Sequence, residues 1–353
     1  PVHWLTIQDH FNDLVVSTYG RGFWILDDIT PLQQLTEEIL DAPAHLFEPR
    51  SAYRFRNKEG LVSQPEDPGA GQNPRFGASI HYLIGDAVRG GASMSILDES
   101  GDVVQDLGRV SDEPGFHRVY WDLRYESSSS PRMRTKVLEH SHVQVGEDGW
   151  RPAGDGGRVT PLAPPGHYTV RLTAGDEEVT VSLTVLKDPS SAGSEADIRA
   201  QFDVVMQLRD ETNAVVDLIN EAERIRAQLV DLKDLVRNHE RADEIMASAG
   251  SLDMALVALE MGLTDLRLSG GSAGQDALRW PRQLLAKLTS LAGYIGSSDF
   301  PPTVQQLEVH ERLKGLMMEK EARMESIREG ELAALNRMLD GMGVPNIISG
   351  GGV

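Results

Sequence analysis

Apolar and polar positions along this chain change their spacing several times. From Val2 to Leu26 they come in short β-branched and aromatic runs: His3-Trp4-Leu5-Thr6-Ile7, Leu14-Val15-Val16-Ser17-Thr18 and Phe23-Trp24-Ile25-Leu26. These runs predict strands, and the last two form a hairpin around Gly20-Arg21-Gly22, where glycine supplies the positive φ of a tight turn. Thr30-Pro31 then opens a short helix with Leu32, Leu35, Ile39 and Leu40 on one side. Over 57–77 the period disappears into Gly, Pro, Asn and Asp, the composition of a linker.

Short strands resume at 79–84, 93–97, 103–107, 117–123, 164–172 and 178–185, and their regular spacing predicts a β-sandwich over 78–188. Trp121 is expected in its core. A glycine- and serine-rich insertion at 124–160 reads as an exposed, mobile loop. Beyond Lys187-Asp188-Pro189 the spacing becomes helical. Ser194-Glu195-Ala196-Asp197 resembles a capping box, and Ile198, Phe202, Val205, Leu208, Val215, Leu218, Ile219, Ala222, Ile225, Leu229 and Leu232 form one stripe. Further helices are expected at 240–268, 281–295 and 303–339, with Gly270 to Gly274 between the first two of these. Together they predict an antiparallel four-helix bundle within 194–345, closed by Gly341, Gly343 and Pro345, and a disordered tail at 346–353.

Length agrees with several modules: 353 residues exceed one compact core and suggest two or three domains. With 54 acidic and 34 basic residues, a formal charge of −20 repels a phosphate backbone, which argues against a nucleic-acid partner. The absence of cysteine excludes disulfides, thiol catalysis and thiolate metal sites. No uninterrupted apolar run approaches a membrane span, so no transmembrane segment is expected. The first residue, Pro1, suggests a fragment whose signal peptide, if any, lies upstream.

Candidate chemistry is sparse. His239-Glu240-Arg241-Ala242-Asp243 approaches a zinc-peptidase helix, but Asp243 stands where that motif needs histidine, and the stretch reads as a solvated helical face. His140-Ser141-His142 is a permissive metal pair beside the expected loop. Neither a phosphate loop, a dinucleotide fingerprint nor a Gly-x-Ser-x-Gly elbow occurs. Asp27 and Asp28, adjacent on an extended segment, point to opposite faces and do not form the carboxylate pair of a glycosidase. No catalytic, cofactor-binding or metal-ligating residue is assigned, and no cofactor is expected.

One phrase carries a resemblance. Thr18-Tyr19-Gly20-Arg21-Gly22-Phe23-Trp24-Ile25-Leu26-Asp27-Asp28 resembles the end of the last blade in bacterial sortilin-type, neuraminidase-repeat (glycosyl-hydrolase-like) β-propeller proteins. Within it Thr18, Tyr19, Gly20, Arg21, Gly22, Trp24, Asp27 and Asp28 are the motif residues, with structural roles. Ile29 to Leu35 and Ala44 to Arg50 resemble the exit from such a propeller. Gly115 to Asp122, together with Pro165 to Val170, is similar to an Ig-like module of bacterial export and flagellar hook-cap proteins. Trp280-Pro281, Ser298 to Thr303 and Leu335 to Leu339 resemble the family's tail.

The implied fold is a multidomain α+β chain. Its parts are a partial β-propeller blade with exit segment (1–56), the linker, the Ig-like sandwich and the helical bundle. The implied function is a non-catalytic structural or interaction region of an exported protein, periplasmic or secreted. Its partners would be upstream blades of the same chain, with a protein or glycan ligand on the propeller. The alternative is an accessory part of a sialidase-type glycoside hydrolase whose active site lies in that propeller. The neuraminidase repeat's Ser-x-Asp-x-Gly-x-x-Trp turn is only partly kept, since Tyr19 or Gly20 takes the acidic position. Arg21 is expected to hydrogen-bond neighbouring blade carbonyls or carboxylates.

Overall fold

The structure, a computed structural model, describes residues 1–56, 71, 74–86, 88–140, 142–269 and 279–350. It is a mixed α+β chain in two compact units, Pro1–Glu126 with Pro161–Phe202, and Ser127–Thr160 with Asp203–Val353. Most of the expected linker, and all of Gly270 to Gly274, lie outside the described residues.

The first unit opens with an antiparallel sheet of β1 (Val2–Gln8), β2 (Asp13–Thr18) and β3 (Phe23–Leu26), in that order. The Thr18 amide donates to the Gly22 carbonyl at 3.1 Å, and Gly20 and Gly22 take φ of +82° and +69°. Two short helices follow, α1 (Thr30–Gln34) and α2 (Glu37–Leu40). The helix expected from Thr30-Pro31 is thus interrupted. Leu35 is extended with ψ 126°, and Thr36 caps α2 by accepting from the Ile39 amide. Leu32 and Leu40 are exposed while Pro31 is buried, so the expected leucine stripe is not the packed side.

Two further sheets make the core of this unit. One joins β4 (Ala44–Leu46), β6 (Ala78–Ile84) and β9 (Gly115–Trp121). The other comprises β5 (Ala52–Arg54), β7 (Ala92–Leu97), β8 (Val103–Val110), β12 (Gly166–Ala174) and β13 (Glu177–Lys187), in the order β5-β13-β12-β7-β8. Burial alternates along β12 but is continuous along β6, which is why β6 shows no two-residue period. Trp121 is fully buried, as its pattern suggested. Its ring meets Tyr168 at 5.0 Å, and Nε1 donates to the Arg124 carbonyl at 2.9 Å. These contacts satisfy both the apolar body and the polar tip of the indole.

The second unit is mainly helical. It holds α4 (Ala242–Leu263), α5 (Leu284–Ile295), α6 (Val304–Ile327), a π-helical turn at Arg328–Leu332 and α7 (Ala333–Gly341), together with most of α3 (Glu195–Leu235), which begins in the first unit. Ser194 caps α3 by accepting from the Asp197 amide at 3.1 Å, while Asp197 accepts from the Ser194 amide at 2.9 Å. Thr303 and Gln306 form the reciprocal capping box of α6. Within this unit α4 packs against α6 and α7, and α5 against α6. By length and composition α4 is apolar enough to cross a membrane, a feature that reading for uninterrupted runs misses. Ile245, Leu252, Leu256, Leu259 and Leu263 face the core of the unit.

The 124–160 excursion differs from the exposed loop its composition implied. Met133, Val137 and Val159 are buried, the first and third within the helical core, and β10 (Arg132–Met133) pairs with β11 (Arg151–Pro152). Its backbone is tied to side chains of α3. The amides of Ser129 and Arg132 donate to Asn213 and Asn220, each at 2.8 Å, and that of Thr135 donates to Glu223 at 2.7 Å. Isolated apolar residues among glycines give no period to read, yet each buries once its backbone polar groups are satisfied. The expected disordered tail is likewise held over its described part. Ile347 is buried, and its amide and carbonyl pair with the Asn336 side chain at 2.8 and 2.9 Å.

Candidate interaction site

The hairpin is joined to the rest of its unit by a polar knot built on two residues with positive φ, Asn12 (+58°) and Asp28 (+57°). Asn and Asp tolerate this left-handed conformation better than most side chains, because they bond locally. The Asn12 carbonyl accepts from the Ile29 amide, and its Nδ2 donates to Thr30 and Gln33. Asp13 accepts from the Asp28 amide at 2.9 Å. These bonds fix the exit of β3 and turn the Asp28 carboxylate inward.

There Asp28 is only 4% exposed, with its Oδ2 3.5 Å from Arg50 Nε and 3.8 Å from His81 Nδ1. Strand register brings the next partner. His81 on β6 faces Arg118 on β9, and Arg118 Nε donates to His81 Nε2 at 2.6 Å. Burial and the Arg118 guanidinium push the His81 pKa down to about 4, against the opposing pull of Asp28. The ring is therefore neutral at physiological pH, and accepting at Nε2 leaves its proton on Nδ1, toward Asp28. Arg50 is the counter-ion of Asp28. It also donates to the Phe11 carbonyl at 3.1 Å and lies 5.1 Å over the Phe11 ring. Arg118 reaches the Asp27 carbonyl at 3.0 Å. A cleft of about 340 Å³ opens beside Asp28, His81 and Arg118, walled by Leu26, Leu32 and Phe116.

The motif residues separate into two groups. Gly20, Gly22 and Thr18 shape the turn, with Thr18 Oγ1 donating to the Gly22 carbonyl at 2.9 Å. Asp28, and Asp27 through its backbone, belong to the knot. Tyr19 and Trp24 remain open, as do Trp4 and Phe23, at 74%, 63%, 72% and 78% exposure. Because Phe23, Trp24, Ile25 and Leu26 are successive strand residues and all are exposed, both faces of the sheet are bare. Arg21 is exposed and makes no hydrogen bond or ion pair among the described residues.

Chemically, the knot is a lock. A histidine with so low a pKa, held by an arginine, is a poor general base at neutral pH. Arg50, His81 and Arg118 were not singled out from sequence. A histidine inside the apolar run Ile80 to Ile84 was the available signal. The remaining candidates do not assemble. His239 and Asp243 do not share a helix, because α3 ends at Leu235 and α4 begins at Ala242. His140 and His142 stand with ring centroids 5.7 Å apart. Among the described residues no group of three or more His, Cys, Asp or Glu side chains is arranged to hold a metal ion. No family model, curated protein or solved structure matches the chain.

Proposed function

We propose that this chain is a non-catalytic structural and interaction region of an exported β-propeller protein, and that the β1-β2-β3 sheet is the seam through which it joins further blades. The carrying observation is the sheet itself, bare and aromatic on both faces, while its exit is locked by Asp28, Arg50 and His81. Exposed apolar patches of this kind mark surfaces that are covered in the working assembly. A propeller blade is such a sheet, since neighbouring blades cover both of its faces. On this reading the two sheets around Trp121 are an Ig-like sandwich, and the long helices form an antiparallel bundle. The Thr18 to Asp28 phrase supports the same assignment by resemblance.

The test uses the chain alone and the same chain with its upstream blades attached. Alone, it is expected to bind an apolar dye and to self-associate in light scattering, and Phe23→Glu with Ile25→Glu should reduce both. With the blades attached, the amides of Phe23 to Leu26 should become protected from hydrogen exchange. If those amides exchange equally in both forms, the assignment fails.

A further inference from the structure

We infer that the second unit holds a binding site for a small carboxylate-bearing sugar, in a cleft of about 640 Å³ between the Ser129 to Arg134 segment and the Asp217 to Arg224 face of α3. Four guanidiniums, those of Arg132, Arg134, Arg158 and Arg224, line it together with Trp150. This is unexpected in a chain with 54 acidic and 34 basic residues, where an arginine has carboxylates to spare. Elsewhere in the same unit arginines take them: Arg267 meets Asp265 at 2.6 Å, and Arg241 meets Glu244 at 2.7 Å.

In the cleft the pattern reverses. The side chains of Arg134 and Arg224 make no ion pair or hydrogen bond among the described residues, and Arg134 Nε is buried without a partner. Arg132 lies 5.7 Å from the Trp150 ring, and Arg158 spends only Nε, on the Ser128 carbonyl at 2.8 Å. Of the two lining carboxylates, Glu221 is already answered by Arg328 at 2.7 Å, which leaves Asp217 alone against four guanidiniums. A second cleft of about 400 Å³ shares Arg134 and Arg224, which places these two at the junction of both spaces.

Planar forks of N–H donors match a carboxylate, which they bind in bidentate fashion. Half-buried Trp150 offers a flat apolar wall, and the Ser129 and Ser130 hydroxyls, the Asn220 amide and the Asp217 carboxylate offer hydrogen-bond partners to sugar hydroxyls around it. The volume lies inside the usual range of small-molecule sites, about 300–1,000 Å³. The net charge of −20 repels a long polyanion but not a sugar with one charge per ring.

The inference stands independently of the propeller assignment, and its test uses the full chain. Glucuronate, galacturonate and mannuronate, each as monomer and trisaccharide, are titrated by calorimetry beside a glucose trisaccharide and sodium sulfate. At least one uronate should bind one-to-one, and glucose and sulfate should not compete at equal concentration. Arg134→Gln with Arg224→Gln, or Trp150→Leu, should weaken binding tenfold or more with the thermal midpoint unchanged. Should the double variant unfold, Arg224→Gln alone is used, read from the Trp150 indole N–H shift on adding the uronate. Three results overturn the inference: no uronate binds, sulfate binds equally well, or affinity survives the substitutions in folded protein.

Discussion

Glu223 and Glu260 meet at a single guanidinium nitrogen: Arg226 Nη1 lies 3.0 Å from one carboxylate and 2.9 Å from the other, and neither acid is exposed. Thr135 adds a hydroxyl to Glu223 at 2.7 Å, and the Arg134 and Thr135 amides donate to the same carboxylate. The two acids are therefore unequal. Glu223 is fully bonded, whereas Glu260 keeps one buried oxygen without a partner. Burial, reinforced by the Glu223 charge, raises the Glu260 pKa well above its ordinary value despite Arg226.

This inequality sets a pH dependence. Folded Glu260 holds its proton above pH 4.5, where the unfolded carboxyl gives it up, so the folded state binds more protons and stability falls as pH rises. Glu260→Gln should flatten that decline, since the amide does not titrate while its oxygen can still accept from Arg226. Glu223→Ala should cost about 3–5 kcal/mol, because it leaves the Arg134 and Thr135 amides and the Thr135 hydroxyl without their acceptor and removes one of the carboxylates facing buried Arg226. Denaturant unfolding followed by hydrogen exchange in the Ile225 to Leu229 segment measures both.

The first unit should respond to pH in the opposite sense. His81 has a folded pKa of about 4 against 6.5 unfolded, so the unfolded state binds the extra proton and stability is lost as pH falls from 6.5 toward 4. His81→Gln should remove this step. Exchange of the β6 and β9 amides between pH 4 and 7 reports it separately from the second unit.

Gly77 enters β6 with φ of +118°, and a Cβ there would fall inside contact distance of the Trp121 carbonyl oxygen. Gly77→Ala combines backbone strain with a clash against unyielding main chain. The expected loss is about 2 kcal/mol or more, read as a lower denaturation midpoint with an unchanged slope.

Asn336 holds Ile347 by two bonds, and Gln228 holds Ile348 by two more, at 2.8 and 2.9 Å. Asn336→Ala should release the tail, costing about 1–3 kcal/mol for the polar groups left behind. Limited proteolysis should then cut between Val344 and Ile348 faster than in the parent. Equal cutting rates would show that Ile347 burial and the Gln228 bonds hold the tail without Asn336.

Read without its fold, the chain already declared its mixed character, its strand runs, the start of α3 at Ser194, the start of α6 near Thr303 and the buried place of Trp121. These depend on local spacing and capping, which a linear pattern records directly. Tertiary contact decided the rest. Met133 and Val159 carry no period that could announce their burial, and the inward turn of Asp28 needed Asn12, Asp13, Arg50 and His81 from three separate stretches. Arg132, Arg134, Arg158 and Arg224 look ordinary in a charged chain, and only packing brings them to one cleft. Burial and ion pairing depend on distances in space, and residues far apart along the chain set those distances.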